Sequence, residues 1–141
     1  MVIVDSSVWI TALRRTGDIA VKVAVESLLE EYEAQLCSPV RLEVLGGARV
    51  EERRRLGEYF SIIPYRKCLP DDWERAISLS WKLRGHGLTV PWMDSLIAAI
   101  AIKDAVRVYA IDKHFRAMAE IESGLRLYQP GYSGRFDPED N

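Results

Sequence analysis

The chain alternates short apolar runs with longer amphipathic stretches, and the first run sets the pattern. Val2, Ile3 and Val4 are consecutive β-branched residues that stop abruptly at Asp5-Ser6-Ser7. An unbroken apolar run predicts a strand covered on both faces, as in a parallel sheet, with Asp5 at the carboxyl edge where open α/β sheets bind ligands. Ser6 and Ser7 are good N-caps for a helix carrying Val8, Trp9, Ile10 and Leu13. Gly17 breaks that helix and Asp18 caps a second, in which Ala20, Val21, Ala24, Val25, Leu28 and Leu29 form one apolar stripe.

Ala34 to Cys37 reads as a short strand, and Ser38-Pro39 as a helix start that puts Glu43 about one turn inside the helix. Gly46-Gly47 ends or bends it. A charged helix is predicted from about Val50 to Phe60, a strand at Ser61-Ile62-Ile63, a helix from Pro70-Asp71 to about Leu83, and a loop at Gly85-His86-Gly87. Pro91 opens the most apolar helix, where Met93, Leu96, Ile97, Ile100 and Ala101 bury one face. Asp94 sits in its first turn, where the helix dipole favours an acid. Val106, Val108 and Ile111 predict a further strand ending at Asp112, and Leu125 to Tyr128 a last edge strand. Strands alternating with helices give an α/β fold with a central, mostly parallel β-sheet flanked by helices on both faces. The expected organisation is one domain over residues 1–130 and an irregular, Gly- and Pro-rich tail over 131–141.

Composition agrees with one folded unit: 141 residues, 48% hydrophobic and 28% charged. Lys103 interrupts the longest apolar stretch well short of a membrane span, and no basic region precedes Val2, so the start reads as a strand rather than a signal peptide. Cys37 and Cys68 lie far apart and in no metal-binding spacing, which predicts reduced thiols and a cytoplasmic protein. A net charge of −2 is unlike a basic nucleic-acid footprint. The picture changes if several of the acids hold a metal.

Four acids invite that reading. Asp5 and Asp112 each follow a predicted strand, and parallel neighbours would bring both to one edge. Glu43 and Asp94 lie in the first turns of helices that start at the same edge. Close carboxylates stay ionised only with a counter-cation, and Mg²⁺, which favours oxygen ligands, is the natural one. Taken singly, three of the acids have bland readings: Glu43 as a solvated charge, Asp94 as a helix-start acid, Asp112 as the cap of the helix at Lys113-His114-Phe115. Asp5 is the hardest to dismiss, because Ser6 or Ser7 could cap without it.

Taken together, Val4-Asp5-Ser6-Ser7, Glu43, Asp94-Ser95-Leu96-Ile97-Ala98-Ala99 and Ile111-Asp112-Lys113-His114-Phe115 stand in an order that resembles the PIN domain. More narrowly, the order resembles the VapC-type toxin ribonucleases of prokaryotic toxin–antitoxin pairs, from Met1 to about Pro130. The resemblance implies a Mg²⁺- or Mn²⁺-dependent endoribonuclease that hydrolyses RNA without a covalent intermediate, with Asp5, Glu43, Asp94 and Asp112 as its acids. It implies that Asp5 and Asp94 are the principal metal ligands and that Ser7 orients the site beside the first aspartate. A homodimer and a cognate antitoxin partner follow from the resemblance too. One departure stands out: the family usually carries Thr or Ser two residues before its last aspartate, where this chain has Ala110.

Arg49, Arg53, Arg54 and Arg55 form a basic cluster suited to RNA phosphates, or alternatively to pairing with Glu51, Glu52 and Glu58. Trp9, Trp73, Trp81 and Trp92 read as core or interface aromatics, with Trp92 set apart by lying two residues from Asp94. His86 and His114 are assigned no catalytic role, His114 being expected to cap or pack beside Asp112. Two other functions fit the pattern: a PIN-like module that binds RNA or protein without cutting, supported by Ala110, and a nuclease of RNA maturation or decay outside any toxin pair. A haloacid-dehalogenase-type phosphotransferase would need a second Asp where Ser7 stands.

Overall fold

The computed structural model describes residues 1–139. Strand β1 (Val2–Val4) is buried at all three positions, and since successive side chains on a strand point to opposite faces, the sheet is covered on both sides. β2 (Ala34–Cys37) pairs with one edge of β1 and β4 (Arg107–Tyr109) with the other, while β3 (Tyr65–Arg66) pairs with the outer edge of β2. All of these pairings are parallel, in the order β3-β2-β1-β4. The chain proceeds outward from β1 to β3 and then returns to the far side of β1. The crevice beyond the carboxyl ends of β1 and β4 is therefore the topological switch point.

Helices α1 (Ser6–Leu13), α2 (Ile19–Glu30), α3 (Ser38–Gly46), α4 (Arg53–Ser61), α5 (Pro70–Gly85), α6 (Trp92–Asp104) and α7 (Lys113–Ile121) surround the sheet. Between α1 and α2 the chain turns tightly at Gly17, where a Cβ would lie 1.9 Å from the Thr11 carbonyl oxygen. The apolar stripe of α2 buries Ala24, Val25 and Leu28 against the core, and Asp18 caps the helix by accepting from the Ala20 amide at 2.8 Å. Helix α6 goes further than its sequence pattern suggests. Every residue from Asp94 to Ala101 is buried, so it is a core helix rather than an amphipathic one, with Met93 only partly buried.

Several local expectations change. The N-cap of α1 is Asp5, whose carboxylate accepts from the Ser7 amide, and Ser6 and Ser7 lie inside the helix. The N-cap of α3 is Cys37; Ser38 is the first helical residue, and its hydroxyl accepts from the Cys68 amide at 2.8 Å. Ser61-Ile62-Ile63 is not a strand: Ser61 closes α4, and of the two isoleucines only Ile63 turns inward. The ladder starts one residue later, where the Pro64 carbonyl accepts from Leu36 N at 2.8 Å and β3 follows. β4 stops at Tyr109, three residues before Asp112, because Ile111 N leaves the sheet direction to donate to Ser7 Oγ. Residues 125–128 make a single parallel bridge, Val108 with Leu127, instead of a full strand.

Beyond Pro130 the described chain is irregular apart from a 3₁₀ turn at Tyr132–Gly134, and it lies against the domain. Phe136 stacks on Tyr128, and its amide donates to Ser27 Oγ at 2.7 Å. The last two residues, Asp140 and Asn141, fall outside the described residues.

A buried polar tie is centred on Arg66. Its guanidinium forks onto Asp72 (2.8 and 3.0 Å) and Asp104 (2.7 and 3.2 Å), joining β3 to the start of α5 and the end of α6. Asp72 is fully buried and also accepts from the Leu69 amide at 2.6 Å, so its carboxyl is held down at about 2 by the Arg66 hydrogen bonds. Lys103 adds a longer contact to Asp72 at 3.5 Å. Removing Arg66 leaves a buried carboxylate short of its main partner. Arg66→Ala is expected to lower the unfolding free energy in urea by about 3 kcal/mol, with Arg66→Lys recovering only part because ammonium lacks the fork. A loss below about 0.5 kcal/mol would class the network with ordinary surface ion pairs.

Candidate active site

The first strand delivers Asp5 to the crevice, and the start of α1 fixes its orientation. Ser7 Oγ donates to Asp5 Oδ2 at 2.6 Å and the Ser7 amide to the same oxygen at 3.1 Å. Ser7 Oγ in turn accepts from Ile111 N at 3.2 Å, which ties the segment after β4 to the segment after β1. These bonds occupy Oδ2 and leave Oδ1 free. Asp5 is 1% exposed, and its Oδ1 is a buried acceptor without a hydrogen-bond partner.

Glu43 reaches the crevice from α3, one turn and a half past β2, and its Oε1 is likewise buried and unpartnered. Asp94 arrives from the first turn of α6 and is 6% exposed. One carboxylate oxygen from each of Asp5, Glu43 and Asp94 lies within 4.8 Å of the other two. Asp94 also belongs to a second group of the same tightness, with Asp112 and His114. Asp112 caps α7 by accepting from the His114 amide at 2.9 Å, and His114 Nδ1 lies 3.1 Å from Asp94 Oδ2 and 3.4 Å from Asp112 Oδ1.

The electrostatics follow from this crowding. Burial is the main cause raising Asp5, opposed by the Ser7 hydrogen bonds and reinforced by repulsion from Asp112. Glu43 is raised by burial first and by Asp5 next. Asp94 is pushed up to about 7, by burial and then by repulsion from Asp112 and Asp5, with His114 pulling the other way. An arrangement of acceptor-only groups with two orphaned buried oxygens fits a divalent cation, which would restore the missing contacts and the charge balance.

All four acids named from the sequence therefore meet in one crevice, with Ser7 against Asp5. His114 is the residue that sequence reasoning undervalued: it packs beside Asp112 as expected, but also touches Asp94, and only its place two residues after Asp112 hinted at this. The arginines do not form a common surface contact. Arg54 pairs with Glu58 at 3.1 Å, Arg53 Nε donates to the Ala48 carbonyl, and Arg49 and Arg55 are exposed. Among the tryptophans only Trp9 is core. Trp73, Trp81 and Trp92 are exposed and line an apolar groove of about 320 Å³ between α5 and α6. Cys37 and Cys68 are free thiols, and burial pushes Cys37 up to about 12, an inert core group.

The family model of the PIN domain matches residues 2–121. VapC ribonuclease Mb1587 of Mycobacterium bovis and ribonuclease VapC11 of Mycobacterium tuberculosis are each 32% identical over 128 residues, 86% of this chain and 93% of theirs. Among solved structures, FitAcB from Neisseria gonorrhoeae superposes with a TM-score of 0.72 at 18% identity, covering 92% of this chain and 97% of that one. VapBC2 from Rickettsia felis, bound to a DNA fragment from its promoter, gives 0.73 at 18% identity over 91% and 98%. At such identities these structures show the fold.

The acid cluster makes the metal-free protein sensitive to pH in a predictable direction. With Asp94 at about 7 when folded and near 3.8 otherwise, the folded state holds a proton between these values that the unfolded state releases. Stability then falls as pH rises through that window, while the Arg66–Asp72 pair, formed above about 2, stays intact. In chelator, the melting temperature is expected to drop between about pH 4.5 and about pH 7.5, and Asp94→Asn to raise it by about 3–5 °C at the upper end. An Asp94→Asn protein that melts no higher than wild type at neutral pH would contradict the assignment of repulsion there.

Proposed function

Because the chain belongs to the PIN-domain family, we propose that it is a divalent-metal-dependent endoribonuclease acting as the toxin of a toxin–antitoxin pair. The observation that carries the reading is the convergence of Asp5, Glu43 and Asp94, with Asp5 Oδ1 and Glu43 Oε1 buried and unpartnered. The names of its relatives supply the substrate class: two are called ribonucleases, and a Mycobacterium tuberculosis structure with a TM-score of 0.61 is described as a sarcin–ricin-loop-cleaving toxin.

In this mechanism Asp5 and Asp94 are the principal ligands of Mg²⁺ or Mn²⁺, with Glu43 and Asp112 completing the acidic wall. Bound there, the ion supplies Lewis acidity, making water a better nucleophile and offsetting charge on the phosphoryl oxygens. The protein's own part is positional. Ser7 holds Asp5 Oδ2, which aims Oδ1 into the crevice before any substrate arrives. Glu43, raised by burial and by Asp5, is suited to take the proton from the attacking water at Oε1. Asp94 is carried on a helix buried at every position from Asp94 to Ala101, which holds its backbone in place. Arg49 and Arg55, exposed beyond α3, are available for RNA phosphates.

Association belongs to the same reading. The structural relatives include a toxin–antitoxin complex from Klebsiella pneumoniae. The tryptophan groove gives this chain an exposed apolar face for a second copy or an antitoxin. Cytoplasmic action is part of the proposal, and among the described residues no helix is long and apolar enough to cross a membrane. The non-cleaving alternative draws on Ala110, yet the backbone beside it is engaged: Ile111 N reaches Ser7 Oγ.

The proposal is tested by incubating RNA with purified protein in Mg²⁺ or Mn²⁺. Cleavage is expected to depend on the ion and to fall by about a hundredfold or more in Asp5→Asn and in Asp94→Asn, and by about tenfold in Ser7→Ala, which acts through orientation. Undiminished cleavage by the two aspartate variants would overturn it. Reversing Arg49 and Arg55 to Glu is expected to raise KM with little change in kcat, and an unaltered KM would remove both residues from the RNA path.

A further inference from the structure

The geometry points to a ligand that the acids alone do not supply: we infer that His114 Nδ1 binds the divalent ion directly, together with Asp94 and Asp112, and biases the centre toward Mn²⁺ over Mg²⁺. This rests on the reading of the crevice as a metal centre. Three features support it.

The first is distance. His114 Nδ1 is 3.1 Å from Asp94 Oδ2 and 3.4 Å from Asp112 Oδ1, and one donor atom from each of the three residues lies within 4.8 Å of the others. An octahedral ion with bonds of about 2.1–2.2 Å spaces neighbouring donors about 3 Å apart, so each contact fits an edge of such a shell, the two edges meeting at Nδ1. The second is the orphaned acceptor next door. Asp5 Oδ1 is buried without a partner, and Asp5 belongs to a group that shares Asp94 with the His114 group, so a cation held at Asp94 adjoins the unmet acceptor as well. The third is how the residue is placed. The His114 backbone amide donates to Asp112 Oδ1 at the start of α7, which fixes the main chain of residue 114 beside its acidic partner independently of the imidazole.

An imidazole nitrogen changes what the site prefers. Mg²⁺ is hard, takes oxygen and dehydrates reluctantly, whereas first-row transition ions accept nitrogen readily. Two carboxylates and one imidazole therefore suit Mn²⁺ better than a ring of acids does. His114 is about a third exposed, so replacing it opens no core cavity.

The test uses the full chain, stripped of metal and loaded with Mn²⁺ alone. Pulsed electron paramagnetic resonance is expected to show ¹⁴N modulation from a directly bound nitrogen in wild type, and its loss in His114→Gln with Mn²⁺ still bound. By calorimetry, His114→Gln is expected to weaken Mn²⁺ binding by about tenfold or more, and Mg²⁺ binding by less. Mn²⁺ bound to wild type without nitrogen coupling, or equal losses for the two ions, would overturn this inference and leave the metal centre standing. Wild type that binds no Mn²⁺ would remove both.

Discussion

Like charges brought together where a parallel sheet ends constrain everything else in this molecule. Such a sheet delivers the ends of its strands and the starts of its helices to one edge, and here that edge holds Asp5, Glu43, Asp94 and Asp112. Burial and mutual repulsion raise three of them, so the folded chain carries an electrostatic cost that packing elsewhere must exceed. The covered β1 and the fully buried stretch of α6 provide that packing. They are also the elements that carry Asp5 and Asp94, so the most costly side chains sit on deeply buried backbone.

A second network keeps the edge in register from behind. Arg66 ties β3 to α5 and α6 through two carboxylates, at the ends of those elements remote from Asp94 in sequence. The contrast between the two clusters is instructive. Asp72 is as buried as Asp5, yet it is held at about 2 because a guanidinium meets it with two hydrogen bonds. Asp5 has no basic side chain against it and is raised. One buried aspartate has its cation built into the fold, and the other keeps an oxygen free.

Much of this is legible in the sequence because the decisive patterns are local. The apolar run before Asp5, the cap at Asp18, the Pro70 and Pro91 helix starts and the stripe of α2 all specify themselves within a few residues. The PIN-like order of acids then predicts a common crevice. Features settled by distant partners were not legible. Ser61-Ile62-Ile63 carries strand-forming residues, but the end of α4 and the need to bury Ile63 alone decide its course. Ser38 resembles a cap, but Cys68 and Tyr65, far along the chain, claim its hydroxyl. At Asp112 the choice between helix cap and site residue was a false one, and Asp5 took the capping role expected of Ser6 or Ser7: each carboxylate caps its helix and still faces the crevice. His114 was passed over because its significance lies in a contact with Asp94, twenty residues earlier and on another helix.

Those helix starts also show why the protein alone cannot balance the site. A helix N-terminus stabilises an adjacent carboxylate by about 0.3–1 kcal/mol, reaching about 2 kcal/mol where partly buried. Two unit charges about 4 Å apart repel by about 4 kcal/mol at an effective dielectric of about 20. Asp5, Asp94 and Asp112 each enjoy a helix start, yet Asp94 faces more than one negative neighbour, so the dipoles fall short of the repulsion. Hydrogen bonds close the gap for one oxygen of Asp5 and not for the other. The remaining imbalance can be met by protons or by a cation, and near neutral pH Asp94, at about 7, is losing its proton. A fold that withholds a fixed positive partner from these acids, while granting one to Asp72, leaves the crevice with a charge imbalance that suits an exchangeable cation.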